Sequence, residues 1–389
     1  MSTFSRVLFL PVFLISSAFA SSFPSLNMKP QNDAIQLDLM VAQDGQPWVA
    51  WIEHNKATGI DDLWVKRFDG QGWVQVGERI NTEPQKSAQT PMLRSGPSGD
   101  IWIGWTEQRG DGDIFEVKHW NGTVWEYNLD QRQGIDLTNA ARSRSLAVEP
   151  DGSPTITWSE IIKTGIKLEV KHWNGDLWEI TDSLGLSPRK MASESTLLIS
   201  PNGKRTVVWT EGNGAVSNLW VKVKQPEGQS WQILGNVPLN IRQNVYITPP
   251  SMALDGSGRP VVAWPEEVQD GLPNIFVKRW DGQKWLALGG SLNVDPARWA
   301  QKPAVTVDQR GRIWVSWAEE GEKQRTLHLK VWDGKKWRTL DQRLGLNRQH
   351  DAHSPVLKTA PDGKVYLAWI EGPESQHQVH VQDLPTVGL

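Results

Sequence analysis

A tripeptide of the form Trp-x-Glu recurs seven times along this 389-residue chain, at intervals of 51 to 55 residues. The copies begin at Trp51, Trp105, Trp158, Trp209, Trp264, Trp317 and Trp369. A period of this length, with no helical apolar pattern inside it, is typical of propeller blades. The repeat therefore predicts an all-β chain in which each copy forms one blade of a β-propeller.

Two turn signals divide each unit into four short strands, A to D. An Asp-Gly or Asn-Gly pair after strand A, such as Asp362-Gly363, suits a tight hairpin into strand B, which ends at the Trp-x-Glu. A second pair, such as Asp333-Gly334, separates strand C from strand D, which opens on a Trp three residues after the glycine. We therefore predict a seven-bladed β-propeller with four antiparallel strands in each blade.

The seventh unit ends before a complete strand D. Near the other end of the chain, Ser25-Leu26-Asn27 matches Ser291-Leu292-Asn293, which closes strand D of the fifth unit. We predict that the N-terminal segment supplies the missing outer strand. It would close the ring and cover an edge that is otherwise open to aggregation.

The first twenty residues predict a signal peptide. Arg6 precedes an apolar run, and Ala18-Phe19-Ala20 has the form that signal peptidase accepts. We expect a signal peptide over residues 1–20, a single propeller domain over residues 21–389, and a secreted or periplasmic protein. No later segment approaches the roughly 20 apolar residues of a transmembrane helix, so no membrane span is expected.

The charge and the cysteine content limit the classes of partner and of metal site that are expected. The formal net charge is −3, with acidic and basic residues interspersed, which does not favour nucleic acid as a partner. The chain has no cysteine, so disulfides and thiolate metal sites are excluded. His350-x-x-His353 lacks the spacing of a helical zinc motif, and we expect no metal and no cofactor.

The repeated Trp, Glu and Lys residues are predicted to be structural, because one active site does not need seven copies. In the register that we predict for the hairpin between strands B and C, Glu319 faces Lys330 and Trp317 faces Trp332, with equivalent pairs in units 1, 2, 3 and 5. Such cross-strand pairs contribute about 0.2–1 kcal/mol each.

Function is expected where the units differ. The A–B and C–D turns share one face of the disc and are alike, whereas the D–A and B–C loops share the opposite face and vary. The candidate ligand-binding residues on these variable loops are Arg142, Tyr246, Arg298, Trp299, His350, Asp351 and His353. An aromatic ring beside Arg, Asp and His suits a sugar. Alternatively, Trp299 and Tyr246 plug the channel or pack between blades.

The segment from Ile275 to Asn293, IFVKRWDGQKWLALGGSLN, resembles the repeat of bacterial seven-bladed propeller lectins. Those lectins have a similar aromatic strand, a W-D-G-x-x-W turn and a closing L-G-G, and they bind sugars between blades. The resemblance implies a glycan-binding propeller, although Trp-x-Glu is a departure from that family. The D-G-x-x-W turn also resembles the Asp-box of sialidases, but its Ser/Thr-x-Asp start is missing, so no catalytic residue is carried over.

Three functions compete. The first is a non-catalytic glycan-binding protein that uses the variable loops. The second is a polysaccharide lyase or glycoside hydrolase, in which Arg142 or Arg298 would neutralise a uronate and Tyr246 or His353 would act as base. The third is a protein-docking scaffold of the cell envelope. The sequence favours the first, because Tyr246 and His353 belong to blades that are not neighbours.

Overall fold

The computed structural model describes residues 24–96, 98–109, 112–127, 135–136, 144–226, 228, 230–269, 271–340, 344–347 and 349–385. These residues form 28 β-strands and no helix. Within them, no helix long and apolar enough to cross a membrane occurs. The predicted signal peptide and the candidate residue Arg142 lie outside the described residues.

The strands follow the seven sequence units in order. Units 1 to 3 contain β1 (Asp33–Val41), β2 (Pro47–Asn55), β3 (Ile60–Phe68), β4 (Trp73–Gln75), β5 (Ala88–Ser95), β6 (Ile101–Arg109), β7 (Gly112–Trp120), β8 (Trp125–Glu126), β9 (Ile135–Asp136), β10 (Arg144–Val148), β11 (Pro154–Ile162), β12 (Gly165–Trp173) and β13 (Trp178–Ser183). Units 4 and 5 contain β14 (Met191–Ile199), β15 (Arg205–Gly212), β16 (Ser217–Lys224), β17 (Gln232–Ile233), β18 (Ser251–Leu254), β19 (Pro260–Gln269), β20 (Leu272–Trp280) and β21 (Trp285–Ala287). Units 6 and 7 contain β22 (Ala300–Val307), β23 (Ile313–Glu320), β24 (Arg325–Trp332), β25 (Trp337–Thr339), β26 (Asp351–Thr359), β27 (Val365–Gly372) and β28 (Gln378–Leu384).

Units 1 to 6 are antiparallel sheets in the order A-B-C-D, and unit 7 is an antiparallel sheet of the three strands A-B-C. The hydrogen bonds define six sheets, because the sheets of units 3 and 4 are joined by one parallel pairing, between Ile166 and Met191. The innermost strand of every unit contacts the innermost strand of the next, and β26 of the last unit contacts β1 of the first. The prediction of an all-β propeller built from four-stranded antiparallel units is confirmed.

The hydrophobic core lies between the sheets. Among the described residues it consists of seven clusters of buried side chains, each shared by two neighbouring units. The Trp of the repeated tripeptide is buried in one of these layers in every unit; Trp317, for example, packs with Val261 and Val277 of the preceding unit. Each interface between units therefore needs a large aromatic side chain at the same place, which explains why the Trp recurs in every copy of the repeat.

The N-terminal segment closes the ring as predicted. Leu26 donates its amide hydrogen to the carbonyl oxygen of Val379 on β28 at 3.0 Å, and its side chain is buried between units 7 and 1. Asn27 accepts a hydrogen bond from the amide of Val379 at 2.9 Å. Asn293 makes the same bond to Ile275 at 2.9 Å within unit 5. Residues 25–27 therefore replace the outer strand that the seventh unit lacks.

The register of the B–C hairpins differs from the prediction. In unit 6, Trp317 faces His328 and Glu319 faces Thr326, so Glu319 does not face Lys330. The predicted acid–base and aromatic cross-strand pairs are therefore wrong. The physical reason is a tighter hairpin, since β23 and β24 remain paired up to Glu320 and Arg325.

The repeated Glu instead holds the loop that leads into its own unit. Glu319 accepts hydrogen bonds from Trp317 Nε1 at 3.0 Å and from the amides of Val294 and Asp295 at 3.0 and 2.8 Å. Equivalent bonds to the Trp and to two consecutive amides are made by Glu53, Glu107, Glu211, Glu266 and Glu371. These carboxylates fix the D–A loops, which agrees with a structural role.

Candidate functional site

A cleft of about 750 Å³ opens between units 6 and 7 on the face that carries the variable loops. Its walls are the B–C loops of these two units and the start of β26. The described residues that line it are Gln301, Glu320, Gly321, Glu322, Lys323, Gln324, Arg325, Gln349, Asp351, Gly372, Pro373, Glu374 and His377. Ten of these thirteen residues have polar or charged side chains, among them four carboxylates, one lysine and one arginine.

Asp351 is held at the edge of this cleft by Arg325. Asp351 begins β26 and Arg325 begins β24, so two strand ends in neighbouring units bring them together. The Arg325 Nε atom lies 3.0 and 3.1 Å from the two carboxylate oxygens, and the Arg325 amide donates to Oδ1 at 2.8 Å. Burial alone would raise the pKa of Asp351, but the hydrogen bonds and charge of Arg325 outweigh it and lower that pKa.

His377, on the B–C loop of unit 7, is oriented by Asp33 at the start of β1. Its Nδ1 atom lies 2.8 Å from Asp33 Oδ1, which also accepts the His377 amide at 2.8 Å. Its Nε2 atom is buried and makes no hydrogen bond among the described residues. Burial would raise the pKa of Asp33, but the contacts with His377 lower it overall. The ring therefore has one anchored nitrogen and one unbonded nitrogen.

His353 lies beside these groups on β26 and is 7% exposed. Its Nδ1 atom is 2.8 Å from Ser354 Oγ, and its ring packs edge-on against His377 with centroids 5.3 Å apart. Burial, followed by the charges of Arg325 and Lys302, lowers the pKa of His353 to about 3. The imidazole is therefore neutral at physiological pH.

The three side chains converge. Asp351 Oδ2 lies 3.7 Å from His377 Nε2 and 3.9 Å from His353 Nε2. One donor atom from each of Asp351, His353 and His377 lies within 4.8 Å of the other two. With Arg325 and Asp33 behind them, they form a cluster at the junction of units 6, 7 and 1, which we call the Asp–His cluster.

A strained backbone supports the cluster. The inner strand A has a register shift near its start in units 2, 4, 6 and 7, where Thr90, Glu194, Lys302 and Ser354 adopt φ values of 50° to 53°. Residues with a Cβ rarely adopt this left-handed region, and its recurrence in four units makes the bulge a feature of the repeat rather than of the cluster alone. The bulge brings Lys302 Nζ within 3.0 Å of Ser354 Oγ, the hydroxyl that also contacts His353.

The structure does not bring together the six predicted ligand-binding residues that it describes. Asp351 and His353 belong to the Asp–His cluster. Arg298 and Trp299 contact Glu320, a residue of the cleft wall: the carbonyl oxygen of Trp299 accepts the amide of Glu320 at 2.9 Å, and Arg298, which also pairs with Asp295 at 3.1 Å, donates to the carbonyl oxygen of Glu320 at 3.4 Å. His350 contacts Asn347 at 3.2 Å in a separate cavity of about 370 Å³, and Tyr246 is an exposed residue of unit 5.

Sequence reasoning did not select Arg325 and His377 as site residues. Both lie at the C-terminal ends of B–C loops, where strand C of the same unit begins, on the face predicted to vary. The weak signal available was that His377 and Arg325 are charged or titratable at the entry to strand C. Their proximity to Asp351 depends on how the units pack, which the repeat itself does not reveal.

Units 2 and 3 also depart from the repeat at the position that faces the repeated Trp. The strand C residue facing the repeated Trp is Trp64, Trp220 or Phe276 in units 1, 4 and 5, but Glu116 and Glu169 in units 2 and 3. Both carboxylates are buried. Burial, followed by the charge of Glu116, raises the pKa of the nearby Tyr127. The polar character of these units is therefore internal, away from the Asp–His cluster.

The role of Trp299 can be tested by truncation. The side chain is half-buried and belongs to none of the core clusters, so Trp299→Ala is expected to lower the free energy of unfolding by about 1–2 kcal/mol. Trp317→Ala, at a fully buried ring, is the matched control and is expected to cost about 3–5 kcal/mol. Equal losses in urea unfolding would show that Trp299 is a core plug rather than a surface aromatic.

Neither a protein-family model nor a curated protein matches this chain. Among solved structures, an ulvan lyase of polysaccharide lyase family 25, bound to GlcA(1-4)Rha3S, superposes with a TM-score of 0.60 and 11% identity over 91% of this chain and 94% of its own. A protein of unknown function from Dyadobacter fermentans superposes with a TM-score of 0.53 and 12% identity, over 92% and 96% of the two chains. The Aleuria aurantia lectin gives a TM-score of 0.49 at 13% identity, over 79% and 96%. At these identities the similarity shows a shared fold and nothing beyond it. The chain is a β-propeller.

Proposed function

We propose that this chain is a secreted or periplasmic carbohydrate-binding protein whose ligand occupies the cleft between units 6 and 7. The observation that carries the proposal is the cleft itself. Its volume, about 750 Å³, falls within the range of roughly 300–1,000 Å³ typical of small-ligand sites, and its walls offer planar polar side chains. Carboxylates, amides and imidazoles are the groups that pair with sugar hydroxyls, which both donate and accept hydrogen bonds.

The charge of the cleft narrows the class of glycan. Four carboxylate side chains line it (Glu320, Glu322, Asp351 and Glu374) against Lys323 and Arg325, and Arg325 is already paired with Asp351. An excess of negative charge repels uronates and sulfated sugars. We therefore favour a neutral or amino sugar. Trp299 and Arg298 extend this surface, since both contact Glu320 through the backbone.

The test is a glycan array on the purified protein, followed by calorimetry with the glycan that binds best. Glu374→Ala and Gln301→Ala remove cleft side chains without disturbing the core, and each is expected to weaken binding at least tenfold, about 1.4 kcal/mol. Gln283→Ala, in an exposed C–D turn on the opposite face, is the matched control and should bind like the parent. Equal affinity in all three variants would refute this location, and a blank array would favour a protein ligand.

A second candidate, a polysaccharide lyase, is favoured by one specific observation. The Asp33–His377 pair leaves His377 Nε2 without a hydrogen bond among the described residues, 3.7 Å from the Asp351 carboxylate that Arg325 binds, and such a nitrogen could serve as a base. The superposable ulvan lyase is bound to a glucuronate-containing ligand, although only the fold is shared. An assay for unsaturated uronate release on the same sample distinguishes this candidate. Turnover that is lost in His377→Ala would establish it, and no turnover on any acidic polysaccharide would leave the binding protein.

A further inference from the structure

We propose that Asp351, His353 and His377 bind one divalent transition-metal ion, of the kind that prefers imidazole ligands, at the edge of the cleft. Two histidines and one carboxylate, with a further position open, form a donor set that zinc and its neighbours in the first transition row accept. This inference concerns metal binding by the protein alone and does not rest on the proposed glycan.

The spacing of the three donor atoms fits one ion. Ligand atoms at about 2.0–2.2 Å from a tetrahedral ion lie about 3.4 Å from each other. In the structure, Asp351 Oδ2 is 3.7 Å from His377 Nε2 and 3.9 Å from His353 Nε2, and the three donor atoms lie within 4.8 Å of one another. The two edges to Asp351 Oδ2 would shorten by about 0.3 and 0.5 Å, and the edge between the two histidines by at most about 1.4 Å, to reach the spacing of a tetrahedral ion, which rotation of the side chains can supply.

The second observation is the way each ligand is held from behind. In metal-binding histidines, the N–H group of the other ring nitrogen usually donates a hydrogen bond to a carboxylate or another oxygen. His377 contacts Asp33 through Nδ1, and its buried Nε2 faces Asp351 with no hydrogen bond among the described residues. His353 contacts Ser354 through Nδ1 in the same manner. Both rings therefore turn an Nε2 atom toward the same carboxylate oxygen.

The surrounding charges decide which ions fit. Arg325 binds both oxygens of Asp351, which orients the carboxylate but cancels much of its charge. Ca²⁺ and Mg²⁺ depend on several charged or carbonyl oxygens, so they gain little here. An ion that bonds well to neutral imidazole loses less binding energy when the carboxylate is neutralised. We therefore expect Zn²⁺ and Co²⁺ to bind and Ca²⁺ and Mg²⁺ not to bind.

The experiment is a titration of untagged protein, first freed of metal by dialysis against a chelator, with Co²⁺ and then with Zn²⁺. We expect one equivalent of Co²⁺ to produce visible absorption bands of a four- or five-coordinate ion and Zn²⁺ to abolish them. His377→Ala should lose these bands. Because His377 is not part of the hydrophobic core, this variant should fold, and circular dichroism checks that it does.

Two further variants separate the proposed site from unspecific binding. His350→Ala removes a histidine near the cluster but outside it, and should bind Co²⁺ like the parent. Asp33→Asn removes the carboxylate behind His377 and should weaken binding about 10–100-fold while the stoichiometry stays at one. Absence of saturable binding in the parent, or equal binding by His377→Ala, would overturn the proposal. Glycan binding is measured in a separate experiment, with and without chelator. The metal proposal and the glycan proposal can therefore fail independently of each other.

Discussion

Glu319→Ala is expected to lower the free energy of unfolding by about 3–5 kcal/mol. The carboxylate of Glu319 is 2% exposed and accepts three hydrogen bonds, from the ring nitrogen of Trp317 and from the amides of Val294 and Asp295. Its removal leaves those donors without an acceptor, and each unsatisfied buried donor costs about 1–3 kcal/mol. Water that enters the vacated space can accept hydrogen bonds from these donors and recovers part of this loss. The expected total is therefore smaller than three times the largest cost of one donor.

The neighbouring residue provides the control. Glu320 carries the same charge one position later, but its side chain is exposed, so Glu320→Ala should change stability by no more than about 0.5 kcal/mol. Both variants are compared by urea unfolding followed through tryptophan fluorescence. Similar midpoints for the two variants would mean that the repeated glutamates do not fix the D–A loops, and the structural assignment of the repeat would fail.

Leu26→Ala is expected to lower the free energy of unfolding by about 2–5 kcal/mol and to loosen the closure of the ring. The Leu26 side chain is 1% exposed and packs with Trp51, Val379 and Val381, between units 7 and 1. When residues 25–27 detach, the edge of β28 is left unpaired, and an unpaired edge promotes association between chains. We therefore also expect more aggregation on heating.

Leu292→Ala is the matched variant, because Leu292 holds the same place in unit 5, where strand D follows directly from strand C of its own unit. It should cost a similar free energy but leave the ring closed. Hydrogen exchange distinguishes the two. The amide of Val379, bonded to Asn27, should exchange faster in Leu26→Ala, whereas the amide of Ile275, bonded to Asn293, should remain protected in Leu292→Ala. Unchanged protection of Val379 would contradict closure by the N-terminal segment.

The register error shows where reasoning from sequence stops. Complementary residue types suggested that Glu319 faces Lys330, yet Lys330 Nζ instead lies 5.6 Å from the centre of the Trp317 ring and donates to the carbonyl oxygen of Leu292 at 2.6 Å. The lysine and the glutamate therefore both contact Trp317 and a neighbouring stretch of backbone rather than each other. A side chain's choice between a cross-strand partner and a distant carbonyl depends on loop length and packing, which residue type alone does not specify.

The features that depend on local signals repeated many times could be predicted from the sequence alone. The Trp-x-Glu period, the Asp-Gly and Asn-Gly turns and the match between residues 25–27 and 291–293 predicted the strands, the propeller and its closure, because turn chemistry and strand length act over a few residues. The register of the hairpins and the composition of the Asp–His cluster follow from how the units pack in the folded ring. Asp33 and His377 are 344 positions apart and meet because the ring closes, while Arg325 reaches Asp351 because two units pack side by side. Contacts of this kind arise from the shape of the whole ring, and no repeat within one unit encodes them.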